Sequence, residues 1–68
     1  MSSKLIKRIG ANVQRRRKAI GLTVEQLADR GSFTKGYLSE IENCKKLPSL
    51  LMLEKIADAL KVDIKDLF

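Results

Sequence analysis

The stretch Thr23–Cys44, TVEQLADRGSFTKGYLSEIENC, constrains the fold more than any other part of the chain. Val24, Leu27 and Ala28 lie on one face of a first helix. Leu38 and Ile41, three apart, share one face of a second, with Tyr37 a further apolar position. Gly31 and Ser32 stand between the two groups and stop the first helix. Thr23 is a fitting N-cap for that helix, and Gln26, three residues on, is its capping-box partner. Two helices crossing steeply need a small residue at the contact, and Ala28 supplies it. The outer positions of the second helix, Lys35, Gly36, Ser39, Glu40 and Asn43, are polar or small. A helix with such an outer face has the dimensions of the DNA major groove.

The flanking sequence extends the helical pattern. Leu5, Ile9 and Val13 recur every four residues, which predicts a helix over about 4–20. Gly21 follows and suits the left-handed conformation at a helix end. Thr34 opens the helix over about 34–44, and Cys44, Lys45 and Lys46 end it. Pro48 marks a linker, and Ser49 caps a fourth helix. Leu50, Leu53, Ile56, Ala57 and Leu60 form its expected buried stripe, with Leu51 and Met52 off it. Asp63 caps a short last helix ending at Leu67 and Phe68. Residues 1–68 are therefore expected to form one all-α domain, a compact five-helix bundle.

Charge is unevenly distributed. Residues 1–18 carry Lys4, Lys7, Arg8, Arg15, Arg16, Arg17 and Lys18 and no acid, so the net charge of +6 arises entirely there. A clustered basic segment suits a polyanion, most simply nucleic acid. The alternatives are a solvated basic helix or, less well matched, a membrane-surface helix, which would need a bulkier apolar face. No apolar run approaches the roughly 18 residues that span a bilayer, and the N-terminus lacks a secretory pattern. The single cysteine suits a reducing cytoplasm. There is no histidine, no nucleophile paired with a base and no metal-ligand cluster, so no catalytic site, cofactor, metal or small-molecule ligand is expected. A chain this short buries only about 60% of its unfolded surface, so association is expected to supplement its stability.

The order Leu27-Ala28, a glycine, Tyr37-Leu38-Ser39 and Ile41-Glu42 resembles the helix-turn-helix of Cro and phage repressors, the XRE family. Gly10, Arg17, Gly21, Leu22 and Thr23 match its first helix and turn. Pro48-Ser49, Leu53, Ile56-Ala57, Leu60 and Val62 match its fourth helix and exit. The resemblance covers nearly the whole chain. It implies a regulator that binds a (pseudo)palindromic operator on double-stranded DNA as a homodimer, with helix three in the major groove. On this resemblance Lys35, Gly36 and Glu40 face base edges. Lys35 suits guanine O6/N7 and Glu40 suits cytosine N4, while Gly36 permits close approach. Thr23, Thr34, Tyr37, Ser39, Asn43, Lys45 and Lys46 are the expected backbone contacts, and Arg17 with Glu42 the expected ion pair between helices one and three. Leu51, Met52, Ile64, Leu67 and Phe68 are the expected dimer surface.

Alternatives stand beside these roles. Tyr37 also fits as half-buried core with a wet hydroxyl, and Glu40 as a solvated helix charge. Lys45 and Lys46 also fit as charges answering a helix C-terminus. A protein-interaction module or antitoxin-like partner, using the same fold through helices four and five, is the competing function. The chain departs from the family at four places. Val24 stands where a phosphate-gripping glutamine is frequent. Gly31 precedes the usual turn-glycine position, now Ser32, so the turn is expected to shift by one residue. Arg16 fills a commonly apolar position and predicts a more exposed first helix there. Cys44 replaces a frequent glycine. With no histidine or second cysteine, its metal or redox role is a minor reading.

Overall fold

The computed structural model describes residues 3–68. Its helices are α1 (Ser3–Ala19), α2 (Val24–Gly31), α3 (Lys35–Glu42) and α4 (Leu50–Leu60), followed by a 3₁₀ turn, Ile64–Leu67. The expected fifth α-helix is thus a correction. Asp63 opens four residues held by the 2.9 Å bond from the Asp66 amide to the Asp63 carbonyl. A segment that short closes one tight turn and cannot propagate an α-helix.

Local chemistry explains the helix ends. The Gln26 amide donates to the Thr23 hydroxyl at 3.1 Å, and the Thr23 amide donates to the Gln26 side-chain oxygen at 2.9 Å. This reciprocal pair satisfies two otherwise orphaned amides. Thr34 and Ser49 cap α3 and α4 through the amides of Tyr37 and Met52. Gly21 ends the first turn at φ +73°.

The α2–α3 turn is not shifted by one residue. Ser32 takes the left-handed conformation, at φ 60°, while Gly31 stays inside α2. Gly31 answers a different need, because a Cβ there would lie 2.1 Å from the Phe33 ring. Phe33 folds back on the helix end through its amide, 2.8 Å from the Ala28 carbonyl.

The core joins Ile9 and Val13 of α1, Leu27 and Ala28 of α2, Leu38 and Ile41 of α3, and Leu53, Ile56, Ala57 and Leu60 of α4. Leu50 does not belong to the buried stripe. It is 69% exposed, because it shares the face of Leu53 and Ala57 but is the first residue of α4, where the packing that covers that face has not yet begun. Leu5 and Ile20, near the two ends of α1, are also more exposed than a continuous stripe implies. Leu67, expected on the dimer surface, is instead fully buried in the core. The 3₁₀ turn points it inward, and the Asn12 side-chain amide donates to its carbonyl at 3.0 Å. Arg16 is half-buried beside the same turn, its guanidinium 3.8 Å from Asp66.

Candidate nucleic-acid interface

Helix α3 has two sharply different sides. Its inner side is fixed by close approach and by charge. A Cβ on Gly10 would lie 2.6 Å from the Ile41 carbonyl oxygen, so α1 meets the α3 backbone where no side chain fits. One turn beyond the next, Arg17 Nε and Nη2 donate to the two Glu42 carboxylate oxygens at 2.7 and 2.8 Å. Arg17 Nη1 donates to the Leu22 carbonyl at 2.7 Å. A planar guanidinium bound at both forks fixes distance and rotation together. The bonds to Glu42 raise the Arg17 pKa against the opposing effect of burial. A raised basic pKa places the loss of this stabilisation above the ordinary guanidinium range, so alkaline titration toward pH 10 leaves the pair intact. The ion pair expected between helices one and three is therefore present.

The outer side of α3 is open. Lys35, Gly36, Glu40 and Asn43 are exposed, and a Cβ on Gly36 would touch nothing within 4 Å. Ser39 is partly buried and its hydroxyl accepts from the Asn43 side-chain amide at 3.2 Å. Thr34 lies at the amino end of this surface, its oxygen occupied by the Tyr37 amide at 3.1 Å. Its hydroxyl hydrogen, and that of Thr23 at the start of α2, remain available to donate. The first amides of each helix have no intrahelical acceptor, which makes both helix starts suited to phosphate.

Tyr37 is half-buried and packs against the core, stacked on Phe33 at 5.8 Å between centroids. Lys46 Nζ lies 5.2 Å from the Tyr37 ring centroid and 3.3 Å from a Glu40 carboxylate oxygen. Lys45 and Lys46 follow Cys44, whose φ of 62° is the left-handed conformation at the position where glycine is frequent. The Lys45 amide donates to the Glu40 carbonyl at 2.9 Å, folding the basic pair back along α3. Val24 opens α2 half-buried against the core and offers a phosphate only its amide.

The sequence gives no notice of Phe33 as the support beneath Tyr37, nor of Asn12 as the tie to the chain's end. A lone aromatic beside a turn and a lone amide in a basic helix carry no periodic signal. The basic segment of α1 also divides in space. Gly10 and Arg17 face α3, so helical spacing sets Lys7 and Lys18 on the adjoining edge and Arg8 and Arg15 on the far side. Among the described residues no helix is long and apolar enough to cross a membrane.

Residues 13–67 match the helix-turn-helix family HTH_3. The chain is 38% identical over 56 residues to an HTH-type transcriptional regulator of Sinorhizobium fredii, covering 82% of this chain and 73% of that protein. It is 37% identical over 60 residues to the HTH-type transcriptional regulator SinR of Bacillus subtilis, covering 87% of this chain and 54% of that protein. It therefore spans little more than half of SinR. Among solved structures it resembles the restriction-modification controller protein C.AhdI from Aeromonas hydrophila, with TM-score 0.90 and 28% identity, covering 93% of this chain and 96% of that one.

Proposed function

The chain belongs to the helix-turn-helix family HTH_3, and on that premise we propose that it is a DNA-binding transcriptional regulator with α3 as its recognition helix. It docks α3 in the major groove of a (pseudo)palindromic operator on double-stranded DNA and works as a homodimer. The observation that supports this most is the two-sidedness of α3. Leu38 and Ile41 are buried, while Lys35, Gly36 and Glu40 on the other side are exposed. Lys35 donates to guanine O6/N7, and Gly36 lets the helix approach the base pairs closely. Thr23, Thr34, Tyr37, Ser39, Asn43, Lys45 and Lys46 position the protein on the sugar-phosphate backbone. Lys7 and Lys18 add charge from the edge of α1 nearest α3.

Leu51, Met52, Ile64 and Phe68 form the dimer surface, with Leu50 joining them and Leu67 removed. Leu50 and Leu51 are 69% and 66% exposed and adjacent, more apolar surface than a small soluble chain needs to show. The same surface supports the second reading, a module that binds a protein partner through α4 and the 3₁₀ turn. Salt separates them: several phosphate contacts lose orders of magnitude in affinity between about 50 and 200 mM salt, and an apolar interface barely responds.

Selection of bound sequences from a random DNA pool tests the proposal directly. The expected product is a palindrome with half-sites about one helical turn apart. Recovery of no enriched sequence would overturn it. A sedimentation experiment showing monomer at tens of micromolar would remove the dimer while leaving the DNA reading.

A further inference from the structure

We propose that Glu40 restrains Lys46, so that a phosphate contact forms more readily where a base edge takes the lysine's place. This rests on the DNA-binding reading above and goes beyond it by coupling two residues that the reading treats separately. Glu40 is the exposed acid of α3, and its carboxylate lies 3.3 Å from Lys46 Nζ. The backbone sets this pairing up. The Lys45 amide is bound to the Glu40 carbonyl at 2.9 Å, which returns the chain alongside Glu40 one residue before Lys46. The Tyr37 ring, stacked on Phe33, forms the floor under the ammonium at 5.2 Å. The lysine is therefore held on the outer face of α3 by a carboxylate and a ring that both belong to that face.

The pair is half exposed on both sides, 45% for Lys46 and 51% for Glu40. Exposed pairs are weak, so this one exchanges readily for an equivalent partner. A carboxylate entering the major groove meets phosphate repulsion unless a base-edge donor receives it, and cytosine N4 is the matching donor. At a site with cytosine opposite Glu40, the carboxylate accepts from N4, and Lys46 is released toward a phosphate. At a site without that donor, Glu40 competes for Lys46, and the lysine's charge is partly withheld from the backbone. Base readout and backbone affinity then rise or fall together, and the acid lowers binding to irrelevant DNA.

The test compares the full chain with Glu40→Gln, Lys46→Gln and the double variant on a duplex of scrambled sequence and on the selected operator. Both positions are exposed, and thermal melts monitored by circular dichroism check that all four proteins fold equally. On scrambled DNA, Glu40→Gln is expected to tighten binding about two- to five-fold, the scale of an exposed ion pair. Its salt slope should steepen by about 0.9, one additional phosphate. In the Lys46→Gln background the same change should leave affinity within about two-fold, because no lysine remains to be released. Equal tightening in both backgrounds would show general repulsion and overturn the restraint. So would no tightening in either. Wild-type binding to operator that fails to exceed binding to scrambled DNA would overturn the specific-binding reading itself, a separate outcome.

Discussion

The two sides of α3 are built on opposite principles. The inner side is over-determined: Gly10 admits the Ile41 carbonyl to near contact, and Arg17 spends three hydrogen bonds on Glu42 and the Leu22 carbonyl. The outer side is under-determined: Lys35 and Gly36 touch little, and Glu40 and Lys46 hold each other across a single exposed pair. The DNA-reading role proposed for α3 needs this asymmetry. The helix's pose must be rigid so that side chains meet base edges in register, whereas the side chains themselves must exchange water and ions for DNA. Substitutions on the two sides should therefore separate stability from binding.

The largest effect is expected from Arg17→Met. It strands the Glu42 carboxylate, whose side chain is only 4% exposed, and leaves the Leu22 carbonyl without its donor. Removing one partner of a buried pair costs about 3–5 kcal/mol, a large share of the stability of a domain this small. Urea titration should show the loss in the midpoint. Adding Glu42→Leu should recover a substantial part of it, since the isolated charge is the main penalty. If Arg17→Met melts like the parent, the inner side is not held as described.

Glycine-to-alanine changes sharpen the comparison, because one substitution should act with opposite signs. Gly10→Ala drives a Cβ into the Ile41 carbonyl, a backbone atom that cannot step aside. Overpacking of about 1–3 kcal/mol exceeds the helix-propensity gain of about 1 kcal/mol, so a net destabilisation is expected. Gly36→Ala meets nothing within 4 Å and should stabilise by about 0.5–1 kcal/mol. On the proposed docking, the same methyl is expected to weaken operator binding, because it would fill the space through which α3 approaches the bases. A Gly36→Ala protein that is more stable and binds operator unchanged would show that the backbone does not approach closely there.

Much of this asymmetry was legible in residue types. Thr23 with Gln26, and Ser49 before an apolar run, carry their capping geometry in their spacing, and the structure makes those bonds. The Arg17–Glu42 pair followed from the family resemblance and is present. The misplacements have a common cause. Periodicity fixes which residues share a face but not where a helix stops being covered, so Leu50 joined a stripe that starts at Leu53. A chain end has no period at all, so Leu67 looked like surface until Asn12 and the 3₁₀ turn drew it inward. Gly31 looked like the turn residue because glycine favours positive φ, yet the clash with Phe33 is what reserves its place, and Ser32 bears the left-handed strain. The roles proposed for Lys35 and Glu40 depend on a partner surface and are written in no single chain.

The smallest expected effect lies at the seam between the two sides. Cys44 closes α3 at φ 62°, with its Sγ 3.2 Å from the space a Gly10 Cβ would fill. A left-handed non-glycine residue carries about 1–2 kcal/mol of strain, which Cys44→Gly would release. Glycine also enlarges the unfolded ensemble, which withdraws about 0.4–1 kcal/mol. The difference is a stabilisation between about 0 and 1.6 kcal/mol, measurable as a rise in Tm under reducing conditions. A fall in Tm would mean that the thiol packs usefully against the α1–α3 contact. Affinity should move the other way, because a freer backbone at position 44 loosens the turn that folds Lys45 and Lys46 back along α3. A variant more stable yet weaker on DNA would place the division between pose and reading at Cys44 itself.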